Sequence, residues 1–228
     1  MAKNSEVFLT TFTRIEKELK ALLKKEVGFS RSVKILRRRN PIVKRYAEDL
    51  LEYAELRNAI VHNKINTNYA IAEPHDTVID SMKTVEKELI QPRKVFPLFA
   101  SDVHTFEVND RISDLLQVIN EKGFTKFPIY EGNKFRGLIS QKGITNWLAT
   151  RADNIPQFNE TLLKEVLACV QRNNYKFLKS NASVYRAEEI FKEQIGKGNR
   201  IEALLITRNS SFKEDLEGII TNWDIMKV

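Results

Sequence analysis

Apolar residues recur along this chain with two different periods. Over the first third the spacing is helical: Phe8, Phe12, Ile15, Leu19 and Leu22 fall at steps of three and four, which predicts a helix that stops near Gly28. Asn40-Pro41 reads as a cap followed by proline in the first turn. It opens a second amphipathic helix with Ile42, Tyr46, Leu50, Tyr53 and Ile60 on or near one face. A further helix from about Asp76 turns Val78, Met82, Val85 and Leu89 inward, and Ile90-Gln91-Pro92-Arg93 closes the helical stretch. Beyond it, helical segments alternate with short apolar strands.

Those later segments form a tandem repeat over roughly residues 90–150 and 165–228. In the first copy a helix capped by Asp110 presents Ile112, Leu115, Leu116 and Ile119. The strand Phe127–Tyr130, a Glu131-Gly132-Asn133 turn and a strand ending at Ser140 follow. In the second, a helix begun near Asn181 carries Val184, Ala187, Ile190 and Phe191, and leads to a strand from Ile201 to Ile206. A longer loop, Arg208–Glu217, then joins it to a strand at Gly218. Both copies run strand, helix, strand, strand, helix. The expected fold is therefore an α/β pair of pseudo-symmetric units preceded by an all-α domain, with ranges 1–91, 92–155 and 156–228.

Each copy ends where a strand passes into a helix through a hydroxyl residue: Gly137-Leu138-Ile139-Ser140-Gln141-Lys142-Gly143 in the first, Gly218-Ile219-Ile220-Thr221-Asn222-Trp223-Asp224 in the second. Such a junction gathers unpaired backbone N–H groups and the positive end of a helix dipole, both suited to an anion. Asp224, one turn after Thr221, can accept two hydrogen bonds from vicinal hydroxyls such as those of a ribose. The same residues also make a capping box, Thr221 at N-cap and Asp224 at N3, which needs no ligand.

The repeat, with the phrase GFTKFPIYEGNKFRGLIS and the terminal GIITNWD, resembles a tandem pair of CBS (cystathionine-β-synthase) domains over about the last three-fifths of the chain. The resemblance implies two α/β units packed through their sheets. It also implies an adenosine ligand between them: AMP, ADP, ATP or S-adenosylmethionine. It places Asp224 on the ribose hydroxyls, Thr221 near the ribose and phosphate, and Ile219 on the adenine. Phe124, Thr125 and Lys126 would sandwich the base, and Arg200 would hold a phosphate. Solvated surface charge is the other reading of Lys126 and Arg200. The first copy has Gly143 where the second has Asp224, which implies one nucleotide per chain.

Charge separates the two parts. Residues 1–66 hold 15 Lys and Arg against 8 Asp and Glu, so the whole formal net charge of +7 lies there, and the other 162 residues hold 22 of each. Arg31, Lys34, Arg37, Arg38, Arg39, Lys44 and Arg45 fit an RNA-facing surface, and equally a solvated segment that favours solubility. In the second helix Asn58 and His62 share a face, whereas Arg57 and His62 stand about 140° apart on an ideal helix. An imidazole beside a guanidinium can cleave RNA without metal, while a helix-terminal His and a surface Arg need no such role. Arg57-Asn58-(three residues)-His62 near the end of a long helix resembles the motif of HEPN domains. In active members two copies of that motif form a composite ribonuclease site.

Cys169 stands alone, and His62, His75 and His104 lack metal-ligand spacing, so neither an internal disulfide nor a metal centre is expected. No run reaches the about 18 apolar residues of a membrane span, and no signal peptide is apparent, which points to a cytoplasmic protein. Both resemblances imply a homodimer, with helices bearing Leu115, Ile119 and Trp147 as the expected face. Two functions stay open: a nucleotide sensor with a basic helical domain, or a nucleotide-controlled ribonuclease.

Overall fold

The computed structural model describes residues 3–62, 72–151 and 157–227; of His62 it describes the backbone alone. The chain divides into two compact units, Met1–Arg93 and Lys94–Val228.

The first unit is built of α1 (Asn4–Leu23), α2 (Phe29–Leu36), α3 (Pro41–Arg45), α4 (Ala47–His62) and α5 (Asp76–Ile90). Phe8, Phe12, Ile15 and Leu19 form the buried stripe of α1, as their spacing predicts, and Phe12 stacks on Phe29 of α2 with centroids 4.2 Å apart. Leu22 is exposed rather than inward. The helix ends at Leu23, not near Gly28, because Lys24 turns into the left-handed conformation and its amide closes on the Lys20 carbonyl at 2.8 Å. Asn40 does cap α3, its Oδ1 accepting from the Ile42 and Val43 amides at 2.9 and 3.1 Å. The helix expected to follow is two: Tyr46 leaves helical geometry, ending α3, and its carbonyl accepts the Leu50 amide at the start of α4. On α5, Ile79, Met82, Val85 and Leu89 are buried, and Val78 is only half-buried. The segment before α5 is stapled to α1. Asn4 donates to Asp76 at 2.7 Å, and the Ser5 hydroxyl and amide both donate to Glu73, which holds that carboxyl below its ordinary range.

The second unit contains two sheets of one plan. After a helical turn α6 (Val95–Leu98) come β1 (Phe106–Glu107), α7 (Ile112–Lys122), β2 (Lys126–Glu131), β3 (Lys134–Ser140) and α8 (Gln141–Ala149). The repeat then gives α9 (Leu163–Ala168), β4 (Tyr175–Lys179), α10 (Val184–Gly196), β5 (Ala203–Thr207), β6 (Gly218–Ile220) and α11 (Asn222–Met226). In each sheet the first strand lies parallel and the third antiparallel to the central one. Asp110 does not cap α7: its carboxylate turns back to accept the Glu107 amide at 2.7 Å, and the N-cap position falls to Arg111 without a side-chain bond. The helix expected near Asn181 begins after Ser183, whose hydroxyl accepts the Arg186 amide.

The leaders of the two halves are exchanged. Val95 is fully buried among Leu178, Leu204 and Ile220 of the second sheet and Ala187 and Ile190 of α10, and its amide donates to the Ala182 carbonyl at 2.9 Å. Conversely Leu163 and Val166 of α9 are fully buried against Phe106, Phe127 and Ile139 of the first sheet, Ile112 of α7 and Trp147 of α8, with the Leu163 amide on the Asp110 carbonyl at 2.9 Å. The strand preceding each terminal helix is notched to admit these leaders. A Cβ at Gly137 would come within 2.9 Å of Leu167, and one at Gly218 would overlap the Phe99 carbonyl oxygen. A third cluster, Leu138, Ala203 and Leu205 with Phe135, Tyr175, Phe177 and Ile219, joins the sheets.

Since the Phe99 carbonyl is backbone and cannot swing aside, Gly218→Ala should destabilise the second unit by about 1–3 kcal/mol, the usual cost of overpacking. A lowered urea midpoint for that unit's transition checks it, and an unchanged midpoint contradicts the close approach.

Candidate functional site

The ends of the two sheets open on a cleft of about 530 Å³. From the first half it takes Thr125 and Lys126, at the start of β2, and Gln141 and Lys142, in the first turn of α8. From the second it takes Arg200, Ile201 and Glu202, ahead of β5, Thr221–Trp223 at the start of α11, and Ile195 from α10. The pairing register explains the convergence. Lys126 lies opposite Ser140, so the entry of β2 and the exit of β3 meet at one edge, and the equivalent pairing of Leu204 with Ile220 does the same in the second half.

Thr125, Lys126, Arg200 and Thr221 are thus brought to one cleft from the set that the sequence singles out. Phe124, Ile219 and Asp224 are not among its lining residues. Phe124 is exposed beside His104, with Lys122 Nζ 6.0 Å from its ring, and Ile219 packs into the cluster between the sheets. Asp224 is half-buried and engaged: one carboxylate oxygen accepts the Thr221 amide at 2.8 Å and the Thr221 hydroxyl at 2.7 Å, while Thr221 Oγ1 accepts the Asp224 amide. The capping box is therefore formed, and its second carboxylate oxygen is left for another donor.

The three cleft cations differ in their freedom. Lys126 Nζ faces Glu202 at 3.6 Å with both side chains largely buried, a pair that ties β2 to the leader of β5. Lys142 and Arg200 are exposed, with no charged partner among the described residues. Lys142 and Glu202 were not legible as site residues: Glu202 lies two positions from Arg200, and no residue beside Lys142 was expected to meet a ligand. Only the register shows which neighbour points to the cleft.

The equivalent position in the first half is closed. Ser140 caps α8 through the Gly143 amide at 3.1 Å, and a Cβ at Gly143 would stand 2.8 Å from Val170 Cγ2. Asn174, also buried, donates to the Leu138 carbonyl at 3.0 Å. Val170 thus occupies the space beside Gly143. A larger groove of about 690 Å³ along β3 and α9, lined by Arg136, Lys164, Arg172 and Tyr175 among others, contains none of the residues predicted from sequence.

In the helical unit Arg57 is half-buried and donates to Asn58 Oδ1 at 3.3 Å. Both line a pocket of about 340 Å³ with Phe12, Phe29 and Arg31. The side chain of His62 lies outside the described residues. The basic run is not one free surface: Arg37 pairs with Glu48 at 2.9 Å, and Arg31 and Lys34 stand on the outer face of α2, whose Phe29, Val33 and Leu36 are buried. On the helices expected at a dimer face, Leu115 and Trp147 are fully buried and Ile119 is half-buried. Ile195, Trp223 and Met226 are among the exposed apolar side chains.

Residues 95–150 match the family model of the CBS domain. The structure adds a second half of the same strand order. Solved structures similar to this chain include an acetoin utilization protein (AcuB) from Vibrio cholerae, at 21% identity over 59% of this chain and 87% of that one, TM-score 0.44. Another is a conserved CBS domain protein of Thermoplasma acidophilum, at 18% identity over 60% and 69%, TM-score 0.46. A third is a CBS domain pair in complex with 5′-methylthioadenosine and S-adenosyl-L-methionine, at 18% identity over 60% and 94%, TM-score 0.45. No curated protein matches the chain. Among the described residues no helix is long and apolar enough to cross a membrane, and no group of His, Cys, Asp and Glu could hold a metal ion.

Because Val170 abuts Gly143, Gly143→Asp should not create a second ribose site. It should instead lower the thermal midpoint, with an overpacking cost of about 1–3 kcal/mol. Titration that showed two nucleotides bound by this variant and one by the parent would contradict the plugged geometry.

Proposed function

We propose that this chain is a cytoplasmic regulatory protein whose CBS pair binds one adenosine nucleotide, AMP, ADP or ATP, and signals to the basic helical domain; S-adenosylmethionine belongs to the same ligand class. The observation that carries this reading is the convergence of Lys142, Arg200 and Thr221 on one cleft, with Asp224 directly behind Thr221. Two cations without a charged partner among the described residues suit a phosphate, and the uncommitted oxygen of Asp224 can accept a ribose hydroxyl. The plugged first position favours one ligand per chain. Signalling requires that the ligand bind two states of the protein unequally, since equal affinity shifts no equilibrium. A homodimer is part of this reading, as paired CBS modules commonly associate.

The second reading, a metal-independent ribonuclease of the HEPN type built on Arg57, Asn58 and His62, draws on one observation. Arg31 from α2 lines the same pocket as Arg57 and Asn58, so a cation that could hold RNA phosphate accompanies the motif. Arg31, Lys34, Arg38 and Arg39, exposed at the surface, extend that charge, whereas Arg37 is offset by its ion pair with Glu48.

Calorimetric titration with AMP, ADP, ATP and S-adenosylmethionine tests the first reading. We expect one site per chain and a loss of about ten- to a hundred-fold in affinity for Asp224→Ala, the equivalent of about 1.5–3 kcal/mol for hydrogen bonds to a charged group. No heat with any of the four would leave Thr221 and Asp224 as a helix cap alone.

For the ribonuclease, incubation of single-stranded RNA with a chelator present should show cleavage that His62→Ala abolishes and Arg57→Ala cripples. Intact RNA with the parent protein, with and without each adenosine compound, would exclude that reading.

A further inference from the structure

The chain has two tryptophans, and they are placed oppositely. Trp147 is fully buried in the core of the first half. Trp223 is 65% exposed on α11, at the rim of the cleft, and Ile195, likewise 65% exposed, lines the same cleft from α10. Lys227 lies over the Trp223 ring with Nζ 5.6 Å from its centroid. An indole so placed offers a flat apolar surface that nothing in the second unit's core uses. Nearby, the residues expected to hold a base are committed elsewhere or turned away: Ile219 packs between the sheets, and Phe124 is not part of the cleft lining.

We infer that Trp223, with Ile195, is the wall on which the base of the bound nucleotide stacks, in place of Ile219 and Phe124. The inference rests on the nucleotide reading above and adds to it the residue that selects a planar ring. The chemistry is divided along the cleft. Lys142 and Arg200 meet the phosphate, Thr221 and Asp224 lie beside the sugar, and the indole face meets the ring, because aromatic stacking is tolerant of which base is presented but requires one. The contact is sequence-local to Asp224, so sugar and ring recognition come from one turn of α11.

The two tryptophans make the test direct. The exposed indole emits at longer wavelength than the buried one, so AMP, ATP or S-adenosylmethionine added to the full-length protein should quench the red component and leave that of Trp147 unchanged. Trp223→Ala should weaken binding about five- to a hundred-fold in calorimetry. Trp223→Phe, which keeps a ring, should retain most of the affinity, and Phe124→Ala should match the parent. Binding measured by calorimetry with the red emission unchanged overturns the inference and spares the nucleotide reading. So does Trp223→Ala with parental affinity, including the case in which it only converts a dimer to a monomer in sedimentation. No heat with any of the three ligands overturns both.

Discussion

The second unit of this protein depends on the exchange of its two leader segments. Val95 completes the core under the second sheet, and Leu163 with Val166 completes the core under the first, although each precedes the other half in the chain. Three-stranded sheets with two flanking helices bury little on their own, and small domains are correspondingly marginal. Crossing the leaders lets each sheet borrow a fully buried aliphatic residue from outside its own sequence unit. The exchange also fixes how the sheet ends meet, and with them the positions of Lys126, Arg200 and Thr221.

Gly137 and Gly218 occupy equivalent places in the repeat and serve that exchange in equivalent ways. One admits Leu167 and the other the Phe99 carbonyl, so a side chain at either would lever a leader off its sheet. Gly143 shows what happens when the symmetry is given up. The first half has Gly143 where the second has Asp224, and Val170 packs in the space that a side chain there would need.

Much of this was legible in the sequence, for reasons that are local. The strand order, the Asn40 cap, the α1 stripe and the Thr221–Asp224 box each depend on residues within a few positions of one another, where period and capping chemistry act directly. Helix α2 was not recognised because Arg31, Lys34 and Arg37 dominate its composition, while its apolar residues Phe29, Val33 and Leu36 form a stripe only two turns long. The leader exchange was illegible because nothing in the spacing of Val95 or Leu163 says which sheet receives it. The cleft lining was legible only in part: Thr125, Lys126, Arg200 and Thr221 were found, whereas Lys142 and Glu202 enter through strand register, a non-local quantity.

The capping box at α11 bears on how tightly anything could be held beside it. The carboxylate that would greet a sugar already secures the first turn of a five-residue helix, through the amide and hydroxyl of Thr221. A visitor that drew Asp224 fully to itself would forfeit a cap worth about 0.5–2 kcal/mol, which lowers an equilibrium constant by roughly two- to thirty-fold. A donor that meets only the second carboxylate oxygen leaves the cap whole, whereas one that takes both sets itself against the helix, so the cap rewards a partner that asks for a single oxygen of Asp224.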